Sequence, residues 1–241
     1  MGCVTVSFHK GRLGVRLART PDDLAVCQAL RHACFFDGRG VDADAYDALC
    51  RHVMIGSDDG LVGTCRVMVL PDGAALGASY TASAYDLTPL AGYGRPVIEV
   101  GRFCAAPGAS ADVLRLAWGA LTGIVDAEGA GLLIGCSSFP GAVPERHADA
   151  LALLGKYHRG PAAQLPGVKA TQTLPLTGPV PDRRAALAGL PPLLRSYLNL
   201  GGWVGDHAVV DPVMDTVHVF TALSVDAVPA ARARALRALA G

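Results

Sequence analysis

The sequence is poor in charge and lacks the cysteine pairs and histidine motifs that bind metals. Charged residues make up 17% of the 241 positions and apolar residues 51%, which excludes an intrinsically disordered chain. Lysine plus arginine number 21 and aspartate plus glutamate also 21, so no excess of positive charge indicates a nucleic-acid partner. The seven cysteines form no C-x-x-C pair, and the seven histidines form no H-E-x-x-H motif. We therefore expect scattered thiols in a reducing compartment, no metal ion and no nucleic acid.

Long apolar runs are also lacking. No uninterrupted apolar stretch reaches the ~20 residues that span a bilayer. The N-terminal stretch MGCVTVSFHKGRLGVR holds no apolar segment long enough for a signal peptide. We expect a soluble, cytoplasmic protein, which a lipid product could hold at the periphery of the cytoplasmic (inner) membrane.

Local signals predict a mixed α/β chain. Thr20 followed by Pro21 indicates a capped helix start, and Ser57–Gly60 indicates a hairpin turn between two strands. The segment Val41–Cys50 is predicted as a loop with a short acidic helix. Because no repeat or low-complexity linker divides the sequence, we expect a single domain over residues 1–241, with residues 1–13 as a flexible N-terminal segment.

The segment Val97–Pro107, VIEVGRFCAAP, carries the main chemical signal. It is predicted as a strand over Val97–Ala105, with Glu99 and Arg102 among apolar residues. A charge stays buried in a sheet only when it is paired or used. The following helix opens at Ser110, and its unpaired N–H groups suit a phosphate or an oxyanion. This combination indicates an acyl-transfer site.

The order of predicted elements resembles the GNAT acyltransferase fold, a mixed and mostly antiparallel central sheet flanked by helices. In the front half, the motifs resemble those of acyl-homoserine-lactone synthases. These motifs are Arg31 with Phe35, then Asp42, Asp44 and Asp47, then Arg66, and Glu99-x-x-Arg102-Phe103. The back half resembles ornithine–acyl carrier protein N-acyltransferases, which make lyso-ornithine lipid. The segments that carry this resemblance are Gly135–Gly141, Leu190–Leu198 and Gly201–Asp206.

The resemblance implies a reaction and its partners. A long-chain 3-hydroxyacyl group would move from the phosphopantetheine arm of acyl carrier protein to the α-amine of L-ornithine, as the first step of ornithine lipid synthesis. No bound cofactor is implied. The segment Cys104–Ser110 lacks the Q/R-x-x-G-x-G/A loop of acetyl-CoA enzymes, which favours a carrier protein over CoA. Glutamine, lysine or glycine in place of ornithine stays open.

The predicted reaction needs a proton acceptor, because an α-amino group is mostly protonated at neutral pH. Glu99 is the predicted base, with Arg102 as the second catalytic residue. In the alternative interpretation, the two side chains only stabilise the sheet. A bulge in this strand, which the resemblance implies, would bring them together.

Backbone N–H groups near Phe103 and Cys104 could stabilise the oxyanion of the tetrahedral intermediate. Cys104 could instead be a covalent nucleophile, but direct attack of an amine on a thioester needs no acyl-enzyme. Phe35, Phe103 and Phe139 could line the acyl channel, and core packing is an equal alternative.

Two acidic groups are candidates for the acceptor site. The first group, Asp42, Asp44 and Asp47, could meet the cationic end of ornithine or hold Arg31, Arg66 and Arg102 in place. We favour the second role for Asp44 and Asp47, and a solvated acidic helix is the alternative. In the back half, the side-chain ammonium could be bound by one of Asp206, Asp211 and Asp215, which otherwise are turn and cap residues.

Basic residues could dock the partners, although ordinary solvation is the alternative. A carrier protein could bind at Lys156 and Arg159 or at Arg183, Arg184 and Arg195, and anionic lipid at Arg232, Arg234 and Arg237. A lactone synthase using S-adenosylmethionine is the first competing function. The segment Phe36–Gly40, which has no Trp where lactone synthases usually carry one, argues against it. A non-catalytic acyl- or lipid-binding module is the second.

Overall fold

The computed structural model describes residues 6–36, 39–180 and 182–240. Within these ranges the strands are β1 Ser7–Lys10, β2 Leu13–Leu17, β3 Arg51–Ser57, β4 Gly60–Leu70, β5 Tyr85–Asp86, β6 Val97–Ala105, β7 Leu132–Pro140, β8 Gly167–Val168, β9 Thr173–Pro175, β10 Trp203–Asp211 and β11 Thr216–Ser224. The helices are α1 Pro21–Phe35, α2 Thr81–Ala84, α3 Asp112–Glu128, α4 Ala148–Tyr157, α5 Arg183–Ala188, α6 Pro192–Asn199 and α7 Ala230–Ala240. This is a mixed α/β chain with mostly antiparallel strand pairing, and the predicted fold class is confirmed.

The chain divides into two compact units. Unit 1 comprises Met1–Val69, Val100–Ala130 and Ala230–Gly241, and unit 2 comprises Leu70–Glu99 and Gly131–Pro229. Strand β6 therefore contributes its first residues to unit 2 and its remaining residues to unit 1. The interpretation of the chain as a single domain stays a prediction.

In unit 1, strands β1 to β4 pair antiparallel in chain order, and α1, α3 and α7 belong to the same unit. Helix α1 begins as predicted. The Thr20 hydroxyl accepts a hydrogen bond from the Asp23 N–H at 3.1 Å, and the Asp23 carboxylate accepts from the Thr20 N–H at 3.3 Å. This reciprocal capping box, with Pro21 in the first turn, explains why the helix starts there.

In unit 2, the start of β6 pairs parallel with β7, and β7, β11, β10 and β9 follow in antiparallel pairs. One face of these strands is apolar. Val217, Val219 and Phe139 lie on it, in a buried cluster that includes Leu153 and Leu194 from α4 and α6. Ser137 and Thr221 also lie on this face, and the Thr221 hydroxyl donates to the Ser137 hydroxyl at 2.9 Å. The opposite face carries a second set of side chains.

The register identifies the side chains of that second face. His218 lies opposite Ser138, and Phe220 lies opposite Cys136. Ile134 lies opposite Ala222 on β11 and opposite Glu99 on β6. Because directly paired residues point to the same side of a sheet, Glu99 shares a face with Cys136, Phe220 and His218.

The expectation of a flexible N-terminal segment is wrong for its described part. Residues 7–13 form β1, a turn and the start of β2 rather than a flexible segment, because β1 pairs with β2 from Ser7↔Arg16 to Lys10↔Leu13; residues 1–5 lie outside the described residues. The loop and short acidic helix predicted over Val41–Cys50 are present, the helix as a 3-10 turn over Asp47–Leu49, but the alternative of a solvated acidic helix is wrong because Asp47 is buried. The carboxylates of this segment bind guanidinium groups, as described below. Within the described ranges, no helix combines the length and the apolarity needed to cross a bilayer.

Candidate active site

A buried cluster of arginine and aspartate side chains occupies unit 1. Its members are Arg31 on α1, Asp42 and Asp44 in the following loop, Asp47 in the 3-10 turn, Arg66 on β4 and Arg102 on β6. The sequence predicted all of them as site residues, and the structure brings them together. Their three positive and three negative formal charges cancel, which is how ionised groups persist in a protein interior.

Asp47 is the centre of this cluster. Its carboxylate accepts two hydrogen bonds from the Arg31 guanidinium, at 2.9 and 2.8 Å, and one from Arg66 Nη1 at 3.0 Å. Gln28 Nε2 donates a further one at 2.8 Å. Burial alone would raise the pKa of Asp47, but the hydrogen bonds from Arg31, Gln28 and Arg66 outweigh it and lower that pKa. Asp47 is therefore an anion at neutral pH, and both of its carboxylate oxygens accept hydrogen bonds from protein donors.

Asp42 and Asp44 connect the remaining arginines. Arg102 Nε donates to Asp42 Oδ2 at 3.2 Å, and Arg31 Nε lies 2.9 Å from the same oxygen, an ion pair without hydrogen-bond alignment. Asp44 lies 2.5 Å from Arg66 Nη1 and 3.5 Å from Arg102 Nη2. Burial lowers the pKa of Arg66, yet Asp44 and Asp47 outweigh this and raise it. These contacts match the expected positioning of the arginines by Asp44 and Asp47.

Arg102 has a left-handed backbone conformation, with φ of 51°. A residue with a side chain adopts this region at a cost of about 1–3 kcal/mol, and such residues concentrate at functional sites. The conformation interrupts the regular alternation of β6, which is the kind of irregularity that the resemblance implied for this strand.

Glu99 is buried in unit 2, with 4% of its surface exposed. Its Oε1 accepts a hydrogen bond from the Thr81 N–H at 2.6 Å, and its Oε2 accepts one from the Tyr80 N–H at 3.0 Å. The carboxylate therefore binds the first turn of α2, where N–H groups lack intrahelical partners. A carboxylate has about four acceptor positions, so these two bonds leave capacity for a further donor.

A second polar group lies on the same face of unit 2 and was not singled out as a cluster from the sequence. The Tyr85 hydroxyl lies 3.1 Å from His218 Nδ1 and donates to the His218 carbonyl at 3.0 Å. The Tyr85 ring lies 5.2 Å from the His207 ring and 5.9 Å from the Phe220 ring. Burial lowers the pKa of His218 to about 4, so this imidazole is neutral at pH 7. Only Asp206, which adjoins His207, was a sequence candidate.

The other predicted substrate-binding residues are placed as follows. Phe139 is fully buried in the apolar cluster, on the face opposite Glu99, while Phe35 and Phe103 are half-buried. Cys104 is buried, and this burial raises the pKa of its thiol, which disfavours the thiolate that a covalent nucleophile requires. Ser110 is exposed, and its hydroxyl accepts a hydrogen bond from the Asp112 N–H at 3.2 Å.

Comparisons with known proteins identify the family. The family model described as an acetyltransferase (GNAT) domain matches residues 27–118. An L-ornithine N(alpha)-acyltransferase of Rhodobacter capsulatus is 33% identical over 88% of this chain and 90% of its own length. The protein of the same name from Rhizobium meliloti is 31% identical, over 88% of this chain and 80% of its own length. This chain belongs to the L-ornithine N(alpha)-acyltransferase family.

As a member of this family, the chain is an acyltransferase enzyme, and the resemblance noted in the sequence is confirmed. The fold agrees. The GNAT-like decarboxylase GphF, solved in complex with isobutyryl-CoA, is 18% identical and superposes with a TM-score of 0.52 over 87% of this chain and 98% of its own. The roles of Glu99 and Arg102 in this acyltransferase stay predictions.

Proposed function

We propose that this acyltransferase moves a 3-hydroxyacyl chain from acyl carrier protein to the α-amine of L-ornithine and so forms lyso-ornithine lipid. The observation that carries the proposal is the 33% identity to an L-ornithine N(alpha)-acyltransferase along 88% of the chain. The buried, charge-balanced cluster that includes Arg31, Asp47 and Arg66 is consistent with the proposal, since the resemblance placed these residues in the site.

The chemistry assigns a role to Glu99. The α-ammonium of ornithine loses a proton, and the amine attacks the thioester carbonyl. The C–S bond then breaks and the nitrogen loses a second proton; one of the two protons goes to the leaving thiolate, so that an amide and a thiol remain. Glu99 is the proposed acceptor of the proton, because its buried carboxylate keeps free acceptor positions on a face that holds further polar side chains. Arg102, the second predicted catalytic residue, is fixed on the same strand by Asp42.

The donor is proposed to be the carrier protein because of a basic surface on α4 and α5. The Tyr157 ring lies 4.7 Å from the Arg183 guanidinium and 5.3 Å from Lys156 Nζ. These two helices therefore present positive charge beside a half-exposed aromatic ring. Such a surface attracts an acidic partner and speeds its association at low salt.

Expression in a host that lacks ornithine lipid tests the function. We expect a new ninhydrin-positive lipid whose acid hydrolysis releases ornithine and a 3-hydroxy fatty acid. A matched Glu99→Gln culture serves as the control. Lactone in the medium, or a product that contains glutamine, lysine or glycine, would contradict the proposal.

The donor is tested with purified enzyme. We expect a higher kcat/KM for a long-chain 3-hydroxyacyl carrier protein than for the matching acyl-CoA. Arg183→Glu should lower the value for the carrier protein more than that for CoA, and Arg232→Glu on α7 is the matched control. Equal specificity constants for the two donors would overturn this part of the proposal.

A further inference from the structure

The imidazole of His207 is held in one orientation by its neighbour in the sequence. Nδ1 of His207 lies 2.7 Å from Asp206 Oδ1. Because a carboxylate only accepts hydrogen bonds, Nδ1 carries the proton of this contact. In the neutral ring, Nε2 is then an acceptor with a fixed direction.

That acceptor is buried and unused. The His207 side chain is 6% exposed, and its Nε2 has no hydrogen-bond partner within the part of the chain that the structure describes. A buried polar atom without a partner costs free energy, so such an atom in a native structure calls for an explanation. Asp206 is 46% exposed, and the pair is therefore reached from solvent along its carboxylate side.

The surroundings of His207 favour a cation. The Tyr85 ring lies 5.2 Å from the imidazole, and the Phe220 ring lies 5.9 Å from Tyr85 and 5.5 Å from Trp203. Aromatic faces carry partial negative charge and attract ammonium groups. Tyr85 is the ring that contacts His207. With the Asp206 carboxylate and Nε2, it supplies an aromatic ring, an anion and an acceptor, which match the chemistry of a primary ammonium.

The position of this site relative to Glu99 fits an acceptor with two amines. Strands β6, β7, β11 and β10 are successive neighbours within unit 2. Three strand spacings separate Glu99 from His207, or about 14 Å between their strands. Side chains on one face stand roughly perpendicular to the sheet, so those of Glu99 and His207 meet one extended diamino acid by leaning toward each other over this face. One short segment also contacts both ends, since Thr81 binds Glu99 and Tyr85 packs on His207.

We propose that His207, oriented by Asp206, binds the side-chain ammonium of the amino-acid acceptor and sets the preference of the enzyme for a basic amino acid. Nε2 accepts a hydrogen bond from the ammonium, and Asp206 is a positioning residue that supplies the compensating charge. This inference rests on the proposed function, in which ornithine is the acceptor.

The test compares L-ornithine with L-norvaline, which has the same carbon skeleton without the side-chain amine. The measured quantity is the ratio of the two kcat/KM values. His207→Phe keeps a ring to pack against Tyr85 and removes both nitrogens, whereas His207→Gln keeps a polar atom near the position of Nε2. Asp226→Asn is the matched control, because the Asp226 side chain is 71% exposed in the same unit and its carboxylate pairs with Arg95 at 2.6 Å.

We expect His207→Phe to lower the ratio about 10- to 100-fold, because the KM for ornithine rises while the kcat/KM for norvaline is unchanged. His207→Gln should retain more of the preference, and Asp226→Asn should retain all of it. An unchanged ratio in a folded His207→Phe variant, or an equal loss with both acceptors, would overturn the inference. A wild-type enzyme that acylates neither acceptor would instead contradict the proposed function.

Discussion

At the scale of single residues, Asp47 shows how much stability one buried carboxylate can carry. Its oxygens accept from Arg31, Gln28 and Arg66. Asp47→Asn removes the charge and leaves two buried guanidinium groups short of a counter-ion, so we expect a loss of about 3–5 kcal/mol in the free energy of unfolding. Urea titration measures it. Asp44→Asn, at the more exposed side of the cluster, is the control with a smaller expected loss.

The same residue makes stability depend on pH. The folded-state pKa of Asp47 lies below its unfolded value, because the donors around it outweigh burial. Its contribution is therefore complete above the unfolded pKa, near 3.9 for Asp, and is lost as the pH falls through the folded value. The stability difference between wild type and Asp47→Asn should be constant from about pH 8 to 5 and shrink in stronger acid. A difference that grows on acidification would contradict the assignment.

Glu99 combines a predicted chemical role with an observed structural one. Glu99→Gln should abolish turnover, because an amide does not accept a proton from an ammonium. It also turns an NH₂ group toward a backbone N–H at the start of α2, at a cost of about 1–3 kcal/mol. Product formation is therefore compared at a temperature where circular dichroism shows the variant to be folded. Turnover like that of the wild type would exclude Glu99 as the base.

At the scale of elements, the N-cap of α1 allows the contribution of one local hydrogen bond to the stability of the protein to be measured. Thr20→Ala removes the hydroxyl that accepts from the Asp23 N–H, and caps of this kind contribute about 0.5–2 kcal/mol. We expect a loss in this range by urea unfolding, and Thr20→Ser should restore most of it. A variant as stable as the wild type would show that the contacts of Asp23 with Arg16 already hold the start of the helix.

Elements with such local signals were predictable from the sequence, and the rest were not. The start of α1, the β3–β4 hairpin and the bounds of β6 followed from caps, turn residues and apolar runs. The loop and short helix of Val41–Cys50 were expected, but local signals did not indicate the contacts of this segment. Its carboxylates bind arginines that are distant in the sequence, as in the contact of Asp42 with Arg102, and no local pattern encodes such a partner.

Some residues of the candidate site were likewise found from the sequence, and others were missed. The resemblance to acyl-homoserine-lactone synthases singled out Arg31, Asp47 and Arg66, which the structure brings together. The cluster of Tyr85 with His207 and His218 was missed, since strand register and the placement of a two-residue strand bring these rings into contact across 133 positions. Histidines near a Gly-Gly-Trp segment are a signal that could have drawn attention to it.

At the scale of the whole molecule, the reactivity of each thiol shows how deeply it is buried. The described cysteines are all outside disulfides. Cys27, Cys65 and Cys104 are buried, and burial raises the pKa of Cys65 to about 12 and also raises those of Cys27 and Cys104. Thiols that stay protonated and inaccessible react slowly with disulfide reagents.

We therefore expect native protein at pH 8 to react slowly at these three positions and faster at the half-buried Cys50 and Cys136, with all thiols reacting in denaturant. Mass spectrometry of the labelled peptides identifies the order, and Cys50→Ser should remove one fast thiol. Modification of Cys65 as rapidly as Cys50 in folded protein would contradict the burial described here.

The same labelling tests Cys104 as a nucleophile. We expect enzyme labelled only at its fast thiols to keep its activity. The rate at which activity is lost on Cys104 labelling is then compared with the rate of unfolding. Loss of activity before unfolding would favour Cys104 as a nucleophile. Loss of activity and of folded structure at the same rate would support direct attack by the amine.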